Sequence, residues 1–230
     1  MSNQQQIKHL VSAINSVIFP ELCLNCHNSL KANQKHLCLS CEINLPFENS
    51  SHLETIFWGR VKIENSITLL EFKKGNVTQK ILHHIKYKGK KKLAQIFGNK
   101  LGDKINSTIW KNDIDVVIPI PLHHKKQLKR GYNQAFEIAK GIEERTGIAI
   151  ANENLKRLTH TITQTSKSKF ERWENVRRIF EVQNPSELEG KHILLVDDAI
   201  TTGATLESAL HSLNEIPNCR LSIATLAVAI

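Results

Sequence analysis

The sequence predicts an α/β protein, a parallel sheet flanked by helices, with a small metal-binding module ahead of it. Three observations carry this expectation. Apolar runs such as "DVVIPIPL", "HILLV" and "RLSIATLAVA" alternate with helical periodicity, the pattern of strands covered on both faces. Two C-x-x-C pairs fall between residues 23 and 41. One apolar strand, "HILLV", runs directly into "DDAITTGAT".

Taken along the chain, residues 7–18 place Ile7, Leu10, Val11, Ile14, Val17 and Ile18 at helical spacing, which predicts a short amphipathic helix. Ser12, Asn15 and Ser16 interrupt any continuous apolar run of the signal-peptide kind, so no signal peptide is expected. No apolar run approaches the ~20 residues that span a bilayer, and a cytoplasmic protein without membrane insertion is expected.

Cys23, Cys26, Cys38 and Cys41 follow as "CLNC", eleven residues, "CLSC". Each C-x-x-C turn can present two thiolates to one ion, and two turns supply the tetrahedral set of structural zinc. Two disulfides are the alternative, which a cytoplasmic setting disfavours. So short a stretch cannot bury a core, and the metal would supply its folding free energy. Cys219 stands apart and is expected to be an inert thiol. Pro46 ends the module. The expected organisation is residues 1–50 as helix plus module, 51–60 as connector and 61–230 as the larger domain.

In that domain residues 61–72 read as strand and 76–86 and 91–105 as helices. Residues 115–122 read as a buried strand halted by Pro119 and Pro121. A helix from 133 to 145, a short strand at 148–151 and a polar stretch over 156–178 come next. Strand 192–196, a helix at 202–214 and strand 220–229 complete the series. Ligands of such sheets gather at the carboxyl ends of strands.

Charge is uneven. Nineteen of the thirty-one Lys and Arg residues lie in 73–92, 123–130 and 156–178, and the first of these holds no acid. Net charge is +9. Three such clusters favour an anionic partner, either phosphates on a small molecule or a nucleic acid.

The turn after "HILLV" carries the most specific chemistry. Thr201, Thr202, Gly203, Ala204 and Thr205 stand where a helix begins. Its first N–H groups are unpaired there and its dipole favours an anion. Asp197 and Asp198 just before it cannot bind phosphate. They can accept bonds from sugar hydroxyls or hold Mg²⁺. Phosphate beside diol beside metal describes a ribose 5-phosphate. A P-loop is excluded, because no G-x-x-x-x-G-K-[ST] occurs. Plain helix caps explain one threonine, not two acids, three threonines and a glycine in nine residues.

"LLVDDAITTGAT" resembles the phosphoribosyl diphosphate (PRPP) signature of type I phosphoribosyltransferases. "CLNC…CLSC", "ILHHIKYKGKKKLAQIFGNKLG", "DVVIPIPLHHKKQLKRGYNQAFEIAKGI" and "LKRLTHTITQTSKSKFERWENVRRIFEV" resemble, in order, the ComF or GntX-like family of bacterial competence proteins. The resemblance covers nearly the whole chain. It implies a type I phosphoribosyltransferase-like fold, with Asp197 and Asp198 at the ribose hydroxyls and Ala199–Thr205 around the 5′-phosphate. It also implies a pyrophosphate loop over Pro119–Gly131 with Arg130, and a mobile loop over 160–175 with Lys167, Lys169 and Arg172.

The implied function is a PRPP-binding protein of DNA uptake that handles single-stranded DNA. Zn²⁺ and Mg²⁺ are its implied cofactors, and a competence helicase or another DNA-processing protein a candidate partner. Tyr87 and Tyr132 lie amid positive charge and could stack bases. The alternative is a catalytic phosphoribosyltransferase of nucleotide or salvage metabolism, with Asp197 and Asp198 catalytic. An amidophosphoribosyltransferase is not expected, because no N-terminal cysteine and no glutaminase half is present.

Overall fold

The computed structural model describes residues 20–48, 53–158 and 179–229. The expected helix at 7–18 and the loop candidates Lys167, Lys169 and Arg172 lie outside these residues. The chain divides into two units, Met1–Pro46 and Phe47–Ile230. In the first, the described regular element is α1 (Leu39–Ile43).

The second unit opens with α2 (Leu53–Phe57), within the stretch read as a connector. Its Leu53 and Phe57 are buried in the main core. Then come β1 (Asn65–Phe72), α3 (Val77–Tyr87), α4 (Lys91–Asn106), β2 (Val116–Pro119), α5 (His124–Arg130) and α6 (Gln134–Thr146). The remainder is β3 (Leu155–Arg157), β4 (Phe180–Val182), β5 (His192–Ile200), α7 (Ala204–Asn214) and β6 (Arg220–Ala229).

Local chemistry sets several of these boundaries. Asn76 starts α3, its side chain accepting from Gln79 N at 3.1 Å, and Asn133 starts α6 by accepting from Ala135 N at 3.1 Å. Both satisfy donors that a first helical turn leaves orphaned.

The main sheet runs β1-β6-β5-β2, and every pairing in it is parallel. Beyond β2, the expected strand at 148–151 contributes a single parallel bridge, Val117 to Ile150. The central strands are mostly apolar, because both their faces are covered. On one face Ile193, Leu195, Leu221 and Ile223 pack with α2, α7 and the β3–β4 ribbon. Leu194 and Val196, also fully buried, point the other way by strand alternation, towards α4 and α6.

Helices α4 and α6 touch backbone to backbone. A Cβ on Gly141 would lie 2.3 Å from Gln95 O, and one on Gly98 2.2 Å from Ile138 O. Neither neighbour is a flexible side-chain end, so the helices would have to separate. Gly141→Ala is therefore expected to destabilise by about 2–3 kcal/mol despite the better helix propensity of alanine. Chemical denaturation should show a lower midpoint. An unchanged or raised midpoint would mean that the helices are not in this contact.

Three departures from the sequence reading matter. Strand β5 does not end at Val196 but stays paired with β6 through Ile200. A seven-residue helix, α5, occupies the region read as a loop, with His123 Nδ1 accepting from Lys125 N at 3.2 Å at its start. The polar stretch is bracketed by an antiparallel ribbon, Leu155–Arg157 with Phe180–Val182. Short, partly polar strands lack the period that reveals longer ones.

Candidate functional site

Pro119, the last residue of β2, opens the site. Pairing between β2 and β5 stops at Pro119 and Val196, with one last bond from Ile120 N to Val196 O at 2.8 Å. Among the described residues β5 continues beside β6 alone, Asp197 facing Thr225 and Ala199 facing Ala227. The two aspartates thus sit on the strand itself, just where its outer edge becomes free.

Alternation along a strand sends successive side chains to opposite faces. Asp197 follows Ile193 and Leu195 towards the side of α7. Asp198 turns to the other side, where Lys86 of α3 meets its Oδ1 at 2.9 Å. Burial and the charge of Asp198 push the Asp197 carboxyl up to about 7, against the pull of the Asp198 N–H, Lys86 and Arg157. Asp197 also accepts that N–H at 2.7 Å. Burial lowers the Arg157 pKa, and the attraction of Asp197 opposes it. Arg157 lies on the ribbon with its guanidinium 5.3 Å from the Phe180 ring centre. Its buried Nε has no hydrogen-bond partner among the described residues.

After Ile200 the chain turns through Thr201, Thr202 and Gly203 into α7. Gly203 is the N-cap at φ 78° and makes no side-chain cap. An added Cβ there would be strained by that φ and would come within 3.1 Å of Ile56 Cγ2. A glycine is the residue that fits. The threonines are therefore not ordinary N-caps. Thr202 Oγ1 makes only a long contact, 3.4 Å, with Ala204 N. Thr201, Thr202, Ala204 and Thr205 are all exposed.

A shallow cleft is lined by Asp197, Ala199, Thr201, Thr202, Gly203 and Thr205, among others. It joins one carboxylate, three hydroxyls and the free N–H groups of a helix start. Such a cleft can hold a phosphate monoester next to a hydroxylated carbon skeleton.

Other expected residues fall elsewhere. Asp198 adjoins the cleft without lining it. Arg130 donates to Gln134 Oε1 at 2.6 Å and lies 5.4 Å from the Tyr87 ring centre. Tyr132 is only 6% exposed, its hydroxyl donates to Ile85 O, and burial pushes it up to about 12. It is a core residue and cannot stack a base, whereas Tyr87 is 56% exposed. Among the described residues Lys86 pairs with Asp198 and Arg157 acts on Asp197, and both belong to the basic stretches 73–92 and 156–178. Nothing in spacing alone sets them apart from their neighbours.

In the first unit the four cysteine sulfurs all lie within 4.8 Å of one another, with Cys26 and Cys38 Sγ 3.6 Å apart. Bonds of about 2.3 Å to a tetrahedral zinc place sulfurs roughly 3.8 Å apart, so the set fits. Cys38 N donates to Cys23 Sγ at 3.4 Å, and Asn25 Nδ2 to Cys41 Sγ at 3.4 Å. Burial raises the Cys23 pKa, but bonds from the Cys26, Cys38 and Asn25 backbone outweigh it and bring it to about 6. At Cys41 the Asn25 bond lowers the pKa, while burial and the other three sulfurs prevail and carry it to about 12. Four crowded sulfurs cannot all ionise without a cation among them. The cluster could hold a metal ion. Cys219, half-buried, has its thiol pushed up to about 11 by burial. No described helix is long and apolar enough to cross a membrane.

The family described as "Phosphoribosyl transferase domain" matches residues 88–229. Competence protein F of Haemophilus influenzae is 38% identical over 93 residues, 40% of this chain and 41% of that protein. Competence protein ComFC of Bacillus subtilis is 27% identical over 199 residues, 85% of this chain and 78% of that protein. DNA utilization protein YhgH of Salmonella typhi is 29% identical over 92 residues, 40% of each chain. A solved glutamine PRPP amidotransferase from B. subtilis, complexed with ADP and GMP, is similar over 57% of this chain and 26% of that one. Its identity is 22% and its TM-score 0.41. The matches thus span less than half of the Haemophilus and Salmonella proteins and about a quarter of the amidotransferase. The family expected from "LLVDDAITTGAT" and the four cysteines is the one found, with competence proteins among its relatives.

Proposed function

Because this chain belongs to the phosphoribosyl transferase domain family, we propose that it binds PRPP, or a closely related ribose phosphate, in the cleft from Asp197 to Thr205. We further propose that it serves DNA uptake in the cytoplasm by handling single strands. The carrying observation is the pairing of a glycine-started helix with a free-edged aspartate pair. Thr201, Thr202, Thr205 and the backbone of Gly203 and Ala204 hold the 5′-phosphate. Asp197 and Asp198 take the ribose hydroxyls. Their carboxylate oxygens also suit Mg²⁺, which supplies charge neutralisation to a diphosphate. The four cysteines hold structural zinc. The names of the relatives, competence and DNA utilization proteins, support the second half of the reading, and a helicase or other DNA-processing protein is a fitting partner.

Titration calorimetry with PRPP and Mg²⁺ tests the site. Thr202→Val removes one hydroxyl from an exposed turn without touching the core. Loss of a bond to a charged group should weaken binding about tenfold or more. Unchanged affinity would remove Thr202 from the phosphate site.

A second reading is transfer of the phosphoribosyl group to an acceptor, which the family match favours. Here Asp197 or Asp198 would offset positive charge developing at the ribose carbon. PRPP-dependent pyrophosphate release across a panel of bases and amines would establish it, and silence across the panel would leave binding alone.

A further inference from the structure

The two tyrosines of the chain are treated differently by the fold. Tyr132 is locked in the core, whereas Tyr87 ends α3 with 56% of its surface exposed. Two side chains hold its ring. His83, one turn earlier, has its ring centre 5.2 Å away. Arg130, at the end of α5, has its guanidinium 5.4 Å from the ring centre and is fixed in turn by its 2.6 Å bond to Gln134. Contacts that already hold the ring in place lower the entropy lost on binding.

The surroundings are cationic. Lys88, Lys90, Lys91 and Lys92 are exposed directly after Tyr87, and Lys125, Lys126 and Lys129 are exposed on α5. No acid occurs from residue 73 to residue 92. An exposed aromatic ring amid cations suits a ligand that has both a π-face and a phosphate chain. A duplex hides its base faces within the stack, so the fitting form is a single strand.

We propose that Tyr87, flanked by His83 and Arg130, is a stacking platform for one base of a single-stranded nucleic acid, with Lys88 and Lys90 taking its phosphates. This names the surface for the DNA-handling reading above and rests on it. Lys86, which precedes Tyr87, bonds Asp198 on the strand that leads into the ribose-phosphate cleft.

Fluorescence anisotropy of a labelled 20-nucleotide oligothymidylate with the full chain tests it, at ~50 and ~200 mM salt. Tyr87→Ala should weaken binding roughly 5- to 150-fold and leave the salt dependence unchanged. Tyr87→Phe should bind like wild type, because the ring and not the hydroxyl stacks. Lys88→Gln with Lys90→Gln should reduce the salt dependence. Thermal melts of each variant separate loss of binding from loss of folding. Wild-type affinity in Tyr87→Ala, or a duplex bound as tightly as the single strand, would overturn the platform and leave the DNA-handling reading standing. No single-strand binding by wild type at ~50 mM salt would overturn both.

Discussion

Stripping the metal from the four-cysteine unit, or replacing Cys23 by serine, is expected to unfold residues 20–46. The unit's described residues offer too little else to hold it. Its described apolar core is Leu24, Leu37 and Leu45 with Cys23 itself, and its helix α1 has five residues and buries none. Cys23 is completely buried and accepts the Cys38 N–H, so its loss removes both a ligand and a bond that shapes the second turn. Structural zinc contributes on the order of 10 kcal/mol or more to modules of this kind, whereas burying three leucines supplies about 5–9 kcal/mol before the entropy of ordering the chain is subtracted. Metal analysis of the purified chain should give one zinc per chain. A chelator should release it and make the unit sensitive to protease. Metal-free protein whose residues 20–46 resist protease would contradict this, as would a mass loss showing two disulfides.

The cysteine cluster was legible from spacing alone, because a C-x-x-C turn is a local device. So were most helices and strands of the larger unit, since each carries a long apolar period. The end of β5 was not. Whether a strand continues past "HILLV" depends on its neighbours, and β6 keeps partnering it to Ile200 after β2 has stopped at Pro119. Nor could the sequence separate the two aspartates. Their placement on a strand, rather than in a turn, puts them on opposite faces, and only tertiary structure supplies Lys86 to one and Arg157 to the other. The fates of Tyr87 and Tyr132 were equally hidden, for both are aromatic residues beside lysines.

The second large effect is expected at these aspartates. Asp198→Asn keeps the shape of the side chain and removes its charge. It takes away the partner of Lys86 and the full negative charge that a metal-bound diol requires. Affinity for PRPP with Mg²⁺ should fall by two orders of magnitude or so, the scale of losing a buried charge-assisted contact. Asp197→Asn should also weaken binding, because Asp197 lines the cleft itself. Its effect should be the smaller near pH 7, where its carboxyl, pushed up to about 7, is already partly neutral. Equal affinity in wild type and both variants would leave the aspartates without a role in ligand binding.

Thermal unfolding with and without PRPP and Mg²⁺, in wild type and in Asp198→Asn, tests the ribose-phosphate site most directly. At a hundredfold excess over Kd a ligand adds about 2.7 kcal/mol, a rise of roughly 5–10 °C for a unit of this size. The expected result is that rise in wild type and little or none in Asp198→Asn. No rise in wild type at millimolar PRPP with Mg²⁺, or the same rise in Asp198→Asn, would contradict it.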